Sequence, residues 1–135
     1  MVRQMMAVAA GYISIAALNS LVHIITSVYF KAGVSLTGIS HLPSTPWVIG
    51  VTVLQFVFGL FGGLLATTIA RSKQYIVILG FILLMAIIGL INYTTLSEQE
   101  PLWYLITSPA LTIAGVFTGY RLIKLQNKNI AAREN

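Results

Sequence analysis

Four long stretches of this chain are apolar almost without interruption, and charged side chains occur only at their ends. About 20 apolar residues are enough for a helix to cross the hydrocarbon core of a bilayer. Each stretch meets this requirement, and the segments between them carry the turn-forming and charged residues. The sequence therefore predicts an all-α, polytopic membrane protein whose four transmembrane helices form an antiparallel bundle, at about 5–30, 47–70, 75–96 and 102–124.

The four predicted helices form a single domain over residues 1–135, with residues 125–135 as a basic tail outside the membrane. A charged residue followed by an apolar run, as at Arg3, is also typical of a signal peptide. The first apolar run is longer than a signal peptide needs, and no small-residue cleavage pattern follows it. A retained transmembrane helix is the prediction.

The composition supports this class and excludes much chemistry. Hydrophobic residues make up 57% and charged residues 8% of the chain, whereas soluble domains contain about 25% charged residues. The chain has no cysteine, so it offers no disulfide, thiolate metal site or thiol redox relay. The only acidic residues are Glu98, Glu100 and Glu134, none of them inside a predicted span. We expect neither an enzyme nor a bound cofactor.

The charges are distributed unequally between the two sides of the predicted bundle. An even number of spans puts both termini on one side, and cytoplasmic segments are enriched in Lys and Arg. This places both termini in the cytoplasm and explains the net charge of +5 without a nucleic-acid partner. The basic residues on the inner side are Arg3, Arg71, Lys73, Arg121, Lys124, Lys128 and Arg133, whereas Lys31, Glu98 and Glu100 fall outside.

Small residues mark the faces on which the second and fourth helices would pack. They recur at helical spacing, which lets another helix approach closely, as helices in lipid commonly do. The sequence leaves open whether this packing occurs within one chain or between chains. The predicted helix-packing residues are Gly59, Gly62, Gly63 and Ala66 in the second helix, and Gly115 and Gly119 in the fourth.

The same two helices share a pattern at one constant shift of 56 positions, from 47 to 103 and from 59 to 115. A duplicated helical hairpin would produce this pattern. Two helices that run in the same direction, each with an outer tryptophan and a small packing face, would produce it too. The matching pairs are Trp47 and Trp103, Thr52 and Ser108, Gly59 and Gly115, Phe61 and Phe117, and Gly63 and Gly119.

Polar side chains recur inside the predicted spans, mostly in the outer half of the membrane. Such groups usually face the interior of a bundle. They could form an outward-facing pocket in which His23 takes up a proton, or hydrogen-bond one another and hold the helices in register. His41 lies alone in the long outer loop and predicts no metal site. The candidate pocket consists of Asn19, His23, Gln55, Asn92 and Ser108.

From the second span onward the chain resembles small four-helix inner-membrane proteins of bacteria that have no assigned activity. The resemblance implies an integral membrane protein and assigns no site. It rests on Gly62-Gly63 with Ala70-Arg71, Leu79-Gly80, Pro101-Leu-Trp103-Tyr104, Pro109 and the segment from Gly119 to Leu122.

Two functions remain open from the residues alone. The first is a non-enzymatic interaction or accessory subunit that assembles through small-residue faces, either with itself as a homo-oligomer or within a larger membrane complex. The second is a small transporter or channel with an outward-facing polar pocket around His23. In both cases the partner common to the whole chain is the lipid bilayer.

Overall fold

The computed structural model describes residues 2–30, 45–70, 74–96 and 102–133, and all of them are α-helical. The helices are α1 (Val2–Phe30), α2 (Thr45–Ala70), α3 (Gln74–Leu96) and α4 (Leu102–Arg133). Each is long and apolar enough to cross a membrane. The predicted all-α class is therefore confirmed for the described residues, and so are four helices that are long and apolar enough to span a membrane. His41, Lys31, Arg71, Lys73, Glu98 and Glu100 lie outside the described residues.

The largest difference from the predicted boundaries is at the end of α4. The helix does not end at residue 124 but continues to Arg133, through most of the predicted tail. This part of the sequence contains no Gly or Pro and is built mainly from residues that tolerate a helix well. Once a helix is formed, each further residue adds a hydrogen bond without a new nucleation cost. The α4 helix can therefore continue beyond the apolar residues of the span.

Contacts between the helices define their directions. Arg3 Nε donates to the carbonyl oxygen of Ile69 over 2.8 Å, which places the start of α1 beside the end of α2. A Cβ on Gly80 would lie 2.9 Å from Val8, so α1 and α3 run side by side in the same direction. α2 is thus antiparallel to α1, and α3 is antiparallel to α4, where Gly89 faces Pro109.

The helix α2 forms the two largest interfaces, first with α4 and then with α1. The helix α3 packs on α4 and α1 and only slightly on α2. Among the described residues α1 and α4 do not meet, and α2 and α3 each contact both of them. The buried apolar core lies between them and is formed by Ala7, Ile15, Phe58, Ala66, Ala70, Val77, Phe81, Met85 and Val116.

The backbones of α2 and α4 touch at glycines from both helices. A Cβ on Gly63 would lie 2.5 Å from the carbonyl oxygen of Val116. A Cβ on Gly119 would lie 2.6 Å from that of Leu60. Real Cβ atoms do not approach this closely, so any larger residue would force the helices apart. Gly59 and Gly115 make equivalent contacts with the backbones of Thr112 and Phe56.

The glycine contacts of α2 and α4 are related to one another by the shift of 56 positions: adding 56 to a residue of α2 gives the equivalent residue of α4. Gly59 packs on Thr112 and Gly115 packs on Phe56, and the shift converts the first pair into the second. The pairs Gly63–Val116 and Gly119–Leu60 are related in the same way. The α2–α4 interface is therefore pseudo-two-fold, with two parallel helices contributing equivalent surfaces. It has the form of a symmetric helix dimer contained in one chain.

The small residues of α2 do not form one common face, as the sequence pattern alone suggested. Gly59 and Gly63 face α4, whereas Gly62 and Ala66 face α1. A Cβ on Gly11 of α1 would lie 2.7 Å from the carbonyl oxygen of Gly62. The stripe is thus shared between two neighbouring helices, which explains why α2 is central.

The glycine contacts predict a sharp difference between substitutions along the bundle. Gly115→Ala should lower the free energy of unfolding by about 1–3 kcal/mol, because its methyl group meets backbone atoms of α2 that cannot rotate away. Gly50→Ala is the matched control, since a Cβ there has nothing within 4 Å. Reversible unfolding in detergent–lipid micelles measures both, and equal stabilities would contradict the interface.

Candidate functional site

The side chain of Gln55 is the centre of the polar interior. It is 6% exposed, on α2 one turn before Gly59. Its Nε2 donates to Asn19 Oδ1 of α1 over 2.8 Å. Its Oε1 faces the Thr112 hydroxyl of α4 at 3.5 Å, at the long limit of a hydrogen bond. Because α1 and α4 do not meet among the described residues, this one amide links two helices that are otherwise not in contact.

Thr112 is a member of this site that sequence reasoning missed. It is 3% exposed, and its hydroxyl donates mainly to the Ser108 carbonyl in its own helix, at 3.0 Å. That bond is shorter than the one to Gln55, so the single hydroxyl proton is shared unequally. The signal available in the sequence was its position one turn after Ser108, on the side of α4 that meets Gly59.

His23 lies one turn beyond Asn19 on the same helix. Its Nδ1 atom is buried and has no hydrogen-bond partner within the described part of the chain. Such an atom in the interior is costly to leave unsatisfied. His23 therefore lies next to the bonded chain of Asn19, Gln55 and Thr112 without joining it.

The predicted pocket residues are thus brought together only in part. Asn19 and Gln55 bond directly, Ser108 takes part through its backbone carbonyl, and His23 is adjacent on α1. Asn92 belongs to α3, but its side chain is outside the described residues. These groups can hold three helices in register.

Other polar side chains in the spans bond within their own helices. The Thr26 hydroxyl donates to the Val22 carbonyl at 2.8 Å, and the Thr52 hydroxyl to the Val48 carbonyl at 2.6 Å. This back-bonding satisfies the hydroxyl without a partner helix. Buried threonines in α1 and α2 therefore do not by themselves indicate a binding site.

A groove of about 380 Å³ lies elsewhere, between α3 and α4. Asn19, His23, Gln55 and Ser108 do not line it, and its described walls are almost entirely apolar. It opens where Gly89 and Pro109 face each other and leave room between the helices. Its lining residues are Met85, Ala86, Gly89, Tyr93, Leu105, Ile106, Pro109, Ala110 and Ile113.

No group of three or more metal-binding side chains occurs in the described ranges 2–30, 45–70, 74–96 and 102–133. Comparison with known proteins adds no further assignment: no family model, no curated protein and no solved structure matches this chain. The resemblance to small four-helix membrane proteins of bacteria therefore stays a prediction that rests on the residue patterns alone.

The bridge through Gln55 predicts a measurable loss of stability when it is removed. Gln55→Leu should cost about 1–3 kcal/mol of unfolding free energy, because two contacts between helices are lost and Asn19 is left without its partner. Thr68→Val is the control, since that exposed hydroxyl bonds only to Leu64 of its own helix.

In a double-mutant cycle, Asn19→Leu and Gln55→Leu should couple by about 0.6–1.7 kcal/mol. Unfolding of each variant under the same lipid conditions provides the four values. Additive effects would show that the hydrogen bond between the two amides does not stabilise the fold.

Proposed function

We propose that the protein is a non-enzymatic integral membrane protein that acts as a small interaction or accessory subunit. The observation that carries this proposal is the close packing of the helices against one another within the chain. The close-packing glycines of α2 and α4 contact each other within the chain, and the central amide is bonded on both sides. What the chain offers to other molecules is therefore the outer surface of a rigid helical unit.

The outer surface of α1 is the part of this unit best suited to a second helix. Of the four spans, α1 is the least buried. Its exposed side includes three small residues, Ala9, Ala17 and Ser20, among larger apolar ones. Small residues at an interface allow close approach in lipid. In this proposal, assembly uses α1, because Gly59, Gly63, Gly115 and Gly119 are already engaged.

The proposed setting is a bacterial inner membrane, where the helices form an antiparallel four-helix bundle with both termini in the cytoplasm. Support comes from the basic residues at the start of α1 and the end of α4, here Arg3, Arg121, Lys124 and Lys128. Cytoplasmic ends of membrane proteins are enriched in such residues.

Assembly through α1 predicts a position-dependent crosslink in this cysteine-free chain. Ala17→Cys should form an oxidative crosslink in native membranes, to a second copy or to a partner subunit. Leu83→Cys is the matched control, because it is also exposed but belongs to α3, not to the proposed interface on α1. Native mass spectrometry of the protein from its host membrane should show the same assembly, and a monomer without crosslinks would contradict the proposal.

A second candidate function is a small transporter or channel with an outward-facing polar pocket. The observation that favours it is that His23 Nδ1 has no hydrogen-bond partner among the described residues, although it lies beside a chain of hydrogen-bonding side chains. A polar solute that displaced part of this chain would find hydrogen-bonding groups on three helices.

Solvent access distinguishes the two functions. In the accessory-subunit proposal, a cysteine at position 23 should stay unreactive towards an impermeant thiol reagent added from outside, because the interior is closed. Ser20→Cys is the control, because it lies on the exposed side of α1 and its labelling does not depend on a water-filled pocket. Fast labelling at 23 but not at 20 would favour the transporter or channel instead.

A further inference from the structure

The last turns of α4 carry three positive charges along one side. Arg121, Lys124 and Lys128 are three and four positions apart, which places them one above another on the helix surface. All three are exposed. None of the described residues is acidic, because the glutamates are at positions 98, 100 and 134. Like charges at this spacing repel one another unless an anion compensates them.

Two of these charges are held against aromatic rings that lie nearer to the apolar span. The Arg121 guanidinium is 4.6 Å from the centre of the Phe117 ring. The Lys124 ammonium is 5.9 Å from the centre of the Tyr120 ring. Each ring belongs to a residue four positions earlier, which is about 6 Å along the helix axis. The positive groups therefore lean back toward the membrane.

The geometry of α4 as a whole places these charges at the level of lipid phosphates. A helix of 32 residues is about 48 Å long, whereas the hydrocarbon core is about 30 Å thick. Tyrosines such as Tyr120 are typical of the interface between the hydrocarbon core and the surrounding water. Side chains also lean toward the N-terminus of their helix, which for α4 is the direction of the bilayer.

We propose that Arg121, Lys124 and Lys128 form a binding site for the phosphate groups of anionic phospholipids, in the leaflet at which α4 leaves the membrane. Arg121 and Lys124 point back toward the apolar span, where lipid phosphates lie. A soluble polyanion would instead be bound best by cations that point away from the span. Each basic residue near an anionic surface adds about a fivefold gain in affinity. Three of them should give a preference of about 100-fold at low salt.

The test uses the full-length protein in detergent with equal amounts of phosphatidylglycerol and phosphatidylcholine of the same chain length. Native mass spectrometry should show retention of phosphatidylglycerol over phosphatidylcholine by at least about tenfold. The triple variant R121Q/K124Q/K128Q should lose this preference. The conservative variant R121K/K124R/K128R should keep it, which separates loss of charge from damage to the helix.

A relocated-charge variant separates the site from net charge alone. In K124Q/K128Q/Q126K/N129K the number of positive charges is unchanged, but two of them move to another side of α4. We expect this variant to lose most of the preference. Full retention by the relocated variant, or no loss in the triple variant, would overturn the proposal. Tighter binding of inorganic phosphate or an RNA oligonucleotide to the wild-type protein would also overturn it, in favour of a soluble ligand.

Discussion

The structure depends on direct contact between helix backbones at the glycines of α2 and α4. Lipid tails are as apolar as the side chains they would replace, so burial of apolar surface drives association weakly inside a membrane. What remains is van der Waals contact, which requires close approach and surfaces that fit. Gly59, Gly63, Gly115 and Gly119 provide this by removing every atom beyond Cα from the contact. Gly11 and Gly62 do the same between α1 and α2.

The polar bridge adds specificity to this packing. Glycines allow two helices to approach closely, but they have no side chains that would prevent one helix from rotating or sliding against the other. Gln55 lies one turn from the first glycine and bonds toward both neighbouring helices, so a change in register would separate its partners. A buried amide is costly in an apolar interior unless it is hydrogen-bonded, and Gln55 has a polar partner on each of two neighbouring helices. The close contacts and the amide are therefore complementary parts of one core.

The sequence predicts some levels of this structure better than others. Four helices and their approximate limits follow from apolar length, because the bilayer imposes a minimum that few other segments meet. The small residues of α2 were recognisable as packing positions, but their division between α4 and α1 was not. That division depends on where the neighbouring helices lie, which periodicity in one helix does not contain. Thr112 was missed for the same reason, since its role comes from a neighbour 57 positions away. The predicted span ended at about residue 124, whereas the helix continues to Arg133, because polar residues without Gly or Pro sustain a helix well.

The unbroken course of α4 has a mechanical consequence. Its contact with α2 is centred on Gly115 and Gly119, and about 14 residues of helix follow before Arg133. That length corresponds to a rigid arm of roughly 20 Å. Rocking of α4 by about 10° around the glycine contact would move the far end of this arm by roughly 3–4 Å, given the helix rise of 1.5 Å per residue. Such rocking would make the helix a lever with its fulcrum at the glycine contact.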